Sequence, residues 1–67
     1  MNTGQTTAVA PRWASYEEAG KLYGLSRWTL WRLARDGRIR AARIGRATRL
    51  DCDSIERYLA ERAEDFA

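Results

Sequence analysis

The sequence predicts a small, mainly helical domain with one two-stranded β-hairpin. Three observations carry this expectation. Ser15, Ser26 and Asp51 each stand directly before an amphipathic stretch, Gly24 and Gly37 close the first two stretches, and Gly45-Arg46 divides two short runs lying ahead of the third. Serine and aspartate accept hydrogen bonds from the free N–H groups that open a helix. Glycine adopts the left-handed conformation that ends one, and a glycine-containing pair joins antiparallel strands.

The elements follow in order. Residues 1–12 (MNTGQTTAVAPR) are small and polar, include Pro11 and show no periodicity, so they read as a flexible leader to a domain over residues 13–67. Trp13 is expected in the core. Ser15 with Glu18 forms a capping-box pattern, which places a first helix over Tyr16–Tyr23 with Ala19 and Leu22 buried and Tyr23 a further core candidate. Gly24 stops it, Leu25 links, and Ser26 caps a second helix over Arg27–Asp36 that ends at Gly37. At about 100° per residue, Leu30, Leu33 and Ala34 share one arc of this helix, and Trp28, Trp31, Arg32 and Arg35 share the opposite one. The hairpin is expected over Ala41–Ile44 and Ala47–Leu50, with Ile39, Ile44 and Leu50 the large apolar residues of the run. Asp51 then caps a third helix to about Glu64, with Ile55, Tyr58 and Leu59 as its apolar stripe; Asp53 with Glu56 offers an alternative start two residues on. Helix, turn, helix, hairpin, helix is the order of a winged helix-turn-helix.

Composition narrows the chemistry. The 67 residues suit one domain, and 45% hydrophobic with 31% charged residues suits a folded one. No apolar run approaches the roughly 20 residues that span a bilayer. The N-terminus lacks a signal-peptide pattern, so a cytoplasmic protein is expected. There is no histidine, and the single cysteine, Cys52, sits between Asp51 and Asp53, an acidic setting unsuited to a nucleophilic thiolate and better suited to packing at a helix start. Without a catalytic pair, a metal-ligand set or a cofactor motif, the chain is expected not to be an enzyme and to need no cofactor, metal or small-molecule substrate.

Charge is segregated. Residues 27–49 carry eight arginines and one acid, Asp36, whereas residues 50–67 carry six acids and two arginines, within a net charge of +3. A basic centre points to a polyanion, and an acidic end to a basic protein surface. Duplex DNA fits the basic centre: a helix enters the major groove, where its N-terminal residues reach base edges. The candidate contacts on the second helix are Ser26, Arg27, Trp28, Thr29, Arg32 and Arg35. Arg27 and Arg32 are placed best for bidentate contact with guanine, and Ser26 and Thr29 for phosphate or polar base contact. Wing candidates are Arg43, Arg46 and Arg49, toward phosphates or an adjacent minor groove. Structural readings stand beside these. Ser26 also serves as a cap, Trp28 and Arg32 are spaced for a cation–π pair, Trp31 is placed to lean over the wing, and Arg57 and Arg62 are placed to pair with Glu56 or Glu61.

The stretch YEEAGKLYGLSRWTLWRLARDGRIRAARIGRATRLDCDSIERYL resembles the excisionase-type winged helix-turn-helix family, which is related to the MerR-type DNA-binding domains. The resemblance rests on Ser15, Glu17–Ala19, Tyr23–Ser26, Thr29–Arg32, Gly37, Arg43–Arg46 and Ile55–Leu59. It departs from the family pattern where Gly20 replaces a usual alanine and where Arg40 stands at a position commonly proline. The resemblance implies a recombination directionality factor in a bacterial host cell, nucleoid-associated, that directs an integrase toward prophage excision. Its implied partners are double-stranded DNA, an integrase and neighbouring copies of itself. The same fold also serves small transcriptional regulators, and a protein-interaction module using the exposed tryptophans is the rival from another class. No effector segment is expected after the third helix.

Overall fold

The computed structural model describes residues 12–64; the leader reading therefore falls, except for Arg12, outside the described residues. The elements are β1 (Trp13–Ala14), α1 (Tyr16–Tyr23), α2 (Arg27–Arg35), β2 (Ala41–Ile44), β3 (Ala47–Asp51) and α3 (Cys52–Glu64). The order is that of a winged helix-turn-helix.

The first helix starts as its sequence dictates. The Glu18 N–H donates to Ser15 Oγ at 3.1 Å and the Ser15 N–H donates to Glu18 Oε1 at 2.9 Å, completing the capping box. Gly24, at φ 67°, ends the helix. Gly20 has a packing reason: a Cβ there would stand 2.8 Å from the Leu25 carbonyl oxygen, which turns back over α1. The departure from alanine thus admits a close backbone approach.

Ser26 Oγ accepts from the Thr29 N–H at 3.0 Å and opens α2. The helix ends one residue before the expected Asp36, which becomes its C-cap. The Arg38 N–H then reaches the Leu33 carbonyl at 2.8 Å and the Gly37 N–H reaches that of Ala34 at 3.1 Å, the paired closure of a Schellman motif.

The hairpin has the expected β2 and a β3 one residue longer, joined by Gly45-Arg46. Gly45 has φ 60°, and no non-glycine residue has positive φ, which makes this a II′ turn with glycine in the first position. Asp51 extends β3 because the sequence hides a third strand. β1 pairs antiparallel with β3 through Trp13↔Asp51 and Ala14↔Leu50, giving the sheet order β1-β3-β2. Two residues are too few for a pattern of period two to show.

Asp51 also begins α3, as expected, and the alternative start at Asp53 is not used. Its Oδ1 accepts from the Asp53 N–H at 3.1 Å. Ser54 Oγ donates to the Asp51 carbonyl at 2.7 Å and accepts from the Arg40 N–H at 2.9 Å. A proline at position 40 has no N–H to donate, so this bond accounts for the absence of proline there.

Ala14, Ala19, Leu30, Ile39, Leu50, Cys52 and Ile55 form the core, ringed by half-buried Tyr16, Tyr23, Leu25, Leu33, Ala34, Tyr58 and Leu59. Two core expectations are corrected. Trp13 is 40% exposed because Ala14 takes the inward place of β1 and leaves the indole on the outer face, with the Arg40 guanidinium 5.8 Å from its ring. Leu22 is 61% exposed; Ala19 is the buried residue of α1, and half-buried Tyr23 packs on the core beside it.

Glu56 ties the ends of the fold together. It accepts from Tyr23 Oη at 2.7 Å and pairs with Arg12, so its carboxyl is held below the usual range, first by the tyrosine and then by the guanidinium. Burial, then this hydrogen bond, pushes the Tyr23 hydroxyl up. Glu56 is thus engaged by Arg12 and Tyr23, and the Arg62 guanidinium lies 6.0 Å from the Tyr58 ring.

Candidate nucleic-acid interface

The exposed side of α2 follows from its sequence. Leu30 faces the core with no exposure, which turns Trp28 (61% exposed) and Trp31 (45%) outward. Each indole meets an arginine one turn later. The Arg32 guanidinium lies 4.9 Å from the Trp28 ring, and that of Arg35 lies 5.0 Å from the Trp31 ring. Such exposed pairs contribute only about 0.5–1 kcal/mol each. Their larger consequence is geometric: two long, flexible side chains are laid along rigid surfaces.

The nine expected contact residues lie around α2 and its wing. They divide among three clefts around α2, with Ser26 held apart as a cap. The first cleft, about 310 Å³ between α2 and α3, is lined by Trp28, Thr29 and Arg32 together with Arg38, Tyr58 and Arg62. The second, about 260 Å³ between α2 and the wing, brings Trp31 and Arg35 against Ala41, Ala42 and Arg43. Trp31 thus stands across a cleft from the wing. The third, about 250 Å³ between α1 and β3, gathers Arg27, Arg46 and Arg49 beside Ser15, Tyr16 and Thr48.

Within these clefts the side chains differ in readiness. Ser26 Oγ accepts from the Thr29 N–H and donates to Thr29 Oγ1 at 2.9 Å, so both hydroxyls serve the helix start. Arg35 donates from Nε to Asp36 Oδ1 at 3.2 Å, which offsets its charge at the one acid of the basic segment. Arg32 has the Trp28 ring and no carboxylate partner among the described residues. Arg40 is diverted from the interface, with Nη1 3.6 Å from buried Asp51. Arg49 donates to the Thr48 carbonyl at 3.1 Å.

Arg38, Tyr58 and Arg62 also line the first cleft, and no local sequence signal marks them for it. Arg38 follows the C-cap and Arg62 lies near the end of α3, so only the packing of α3 beside α2 brings them to one cleft. Tyr16 joins them through the fold alone: it lines the second and third clefts, and the Arg27 guanidinium lies 5.1 Å from its ring. No group of three or more histidine, cysteine, aspartate or glutamate residues placed to hold a metal ion occurs among the described residues, and no described helix is long and apolar enough to cross a membrane.

Two short helices at a glycine turn, a basic two-stranded wing and an outward-facing, arginine-rich second helix define a winged helix-turn-helix domain of the DNA-binding class. Residues 15–63 match the family described as helix-turn-helix domain, and the chain belongs to that family. Comparison with curated proteins and with solved structures gives no match.

Proposed function

We propose that this protein is a non-catalytic, sequence-specific duplex-DNA-binding factor of the excisionase type, assisting an integrase in site-specific excision. The observation that carries duplex reading is Arg32, laid on the Trp28 ring on the solvent side of α2 with its fork uncommitted to any described carboxylate. A guanidinium held there is suited to the O6/N7 edge of guanine. The excision role is supported by the sequence resemblance. A small transcriptional regulator of the same fold is the second reading, supported by the same interface.

One recognition helix with one wing buries about 600–1,000 Å² on DNA, little for a site competing with a genome. We therefore propose that copies bind adjacent direct repeats cooperatively and bend the duplex, bringing integrase sites together. The acidic α3 of one copy would meet the basic surface of the next in a head-to-tail contact that need not close. Glu56 is withdrawn from that acidic set by Arg12 and Tyr23, and Glu61 remains exposed in it; the side chain of Glu64 lies outside the described residues.

The test is a gel-shift series across salt concentrations, on probes carrying one, two and three sites, with wild type and Arg32→Ala. The variant is expected to bind the specific site about 1–3 kcal/mol more weakly with an unchanged circular dichroism spectrum. Absence of salt-dependent duplex binding would remove DNA as the partner, and independent filling of the sites would remove cooperativity.

A further inference from the structure

We infer that the third cleft is a phosphate clamp, and that Arg27 belongs to it as a backbone contact rather than to the base-reading set. The inference deepens the duplex-binding reading and rests on it.

Three arginines reach this cleft from three different places. Arg27 comes from the first turn of α2, Arg46 from the hairpin turn and Arg49 from β3. Coming from a helix, a turn and a strand, they line one small cleft from different elements. A phosphate is a compact anion with several acceptor oxygens, and guanidinium forks match it in charge and geometry. The cleft is also displaced from the solvent-facing arc of α2, standing between α1 and the wing while Arg32 stands in the cleft beside α3.

The local charges agree. Glu17 is the one acid lining the cleft, and it is occupied by Lys21 at 3.8 Å across one helical turn. Arg27 and Arg46 have no carboxylate partner among the described residues. Arg49 uses one N–H on the Thr48 carbonyl and keeps others of its five donors.

Tyr16 is the positioning residue. Its half-buried ring packs on the core and carries the Arg27 guanidinium at 5.1 Å, so Arg27 is steered back toward the wing and away from the exposed arc. The sequence spacing places Arg27 at the tip of the recognition helix, where direct base contact is the natural expectation. The tyrosine eleven positions earlier changes what that tip can reach.

The experiment uses the highest-affinity duplex selected from a random-sequence pool, a panel of single-base variants of it, and probes carrying one neutral methylphosphonate at each backbone position in turn. Arg27→Ala, Arg46→Ala and Arg32→Ala are compared with wild type, with folding checked by circular dichroism. For Arg27→Ala the expected result is weaker binding by one common factor across the panel, with the order of base preference kept. The slope of log affinity against log salt should become shallower by about one, as for Arg46→Ala. At the methylphosphonate position that weakens wild type most on the wing side, Arg27→Ala should lose nothing further. Tyr16→Phe should match wild type, and Tyr16→Leu, if folded, should reproduce the uniform loss in weaker form. A changed base preference in Arg27→Ala, like that of Arg32→Ala, would overturn the clamp and return Arg27 to base reading. So would an unchanged salt slope. Absence of salt-dependent binding by wild type would overturn the duplex reading as well, and an effect of Arg32→Ala with none of Arg27→Ala would overturn the clamp alone.

Discussion

The two helices of the helix-turn-helix begin with the same residue and end near the same residue type, yet their first turns are built for different ends. In α1, Ser15 and Glu18 satisfy each other's backbone N–H groups, Glu17 adds a second carboxylate, and Lys21 stands in the last turn. Every charge complements the helix dipole. In α2, Ser26 makes the same cap, but the position of Glu18 is taken by Thr29, no acid occurs in the first turn, and Arg27 stands at its first residue. A cation there is unfavourable to an isolated helix. The first helix is completed by its own side chains; the second leaves the positive end of its dipole to be completed by something anionic. A shared cap therefore marks where a helix starts, and the residue three positions on separates a start that is finished from one that is offered.

Converting one start into the other breaks the comparison most directly. Thr29→Glu gives α2 the third-position carboxylate that α1 has. Helix stability should rise by a few tenths of a kcal/mol from the completed box and the dipole. Duplex affinity should fall by roughly tenfold or more, because a carboxylate now faces the polyanion. Thermal unfolding and gel shifts on the same preparation read both changes. Higher stability with undiminished DNA binding would mean that the first turn of α2 does not face the duplex.

The matched serine substitutions come next in size. Ser15→Ala should cost about 0.5–2 kcal/mol of stability through the lost cap and leave duplex affinity unchanged in the folded protein. Ser26→Ala should cost a similar amount of stability and also weaken DNA binding, since Thr29 loses the hydroxyl that orients it at 2.9 Å. Chemical denaturation supplies the first quantity and titration of a labelled duplex the second. Equal losses of affinity in the two variants would erase the distinction between the starts.

Much of this was legible in the residues, because it was written locally. The caps at Ser15, Ser26 and Asp51, the extent of α1 and the Gly45 turn depend on neighbours within a few residues, and β2 pairs with β3 no more than nine residues away. What escaped was set by contacts distant in sequence. β1 exists because Trp13 and Ala14 meet Asp51 and Leu50, and the exposure of Trp13 follows from that pairing. Gly20 looks like a weak helix residue until the Leu25 carbonyl is placed over it. The site shows the same limit. A helical wheel puts Trp28 and Trp31 roughly 60° apart on one arc, a separation without meaning until α3 flanks one pair and the wing the other. The helix position of Arg27 points to base edges; the Tyr16 ring 5.1 Å from its guanidinium and the cleft it shares with Arg46 and Arg49 come from a different helix and from the wing.

The smallest expected effect concerns acid. Glu18 has its carboxyl held low by the Ser15 N–H and then by the Ser15 hydroxyl, and Glu56 by Tyr23 and then Arg12. Both groups brace α1, one at its start and one at its end, and no carboxylate stands in the first turn of α2. A carboxyl with a lower pKa in the folded than in the unfolded chain, where glutamate titrates near about 4.3, stabilises the fold while ionised. That contribution is present above the unfolded value and is lost as pH falls through the folded value beneath it. Both side chains are open to solvent, so screening keeps the effect modest. Denaturation midpoints measured from neutral pH down to about pH 3 should decline on the acid side. Glu56→Gln keeps an acceptor for Tyr23 while removing the titration, and Glu18→Gln does the same for the Ser15 N–H. Each should flatten part of that decline, whereas Thr29→Glu should steepen it by giving α2 the acid dependence that α1 has. An acid limb identical in all four proteins would show that the closed start of α1 draws nothing from its charge, and that the two helices differ in hydrogen bonding alone.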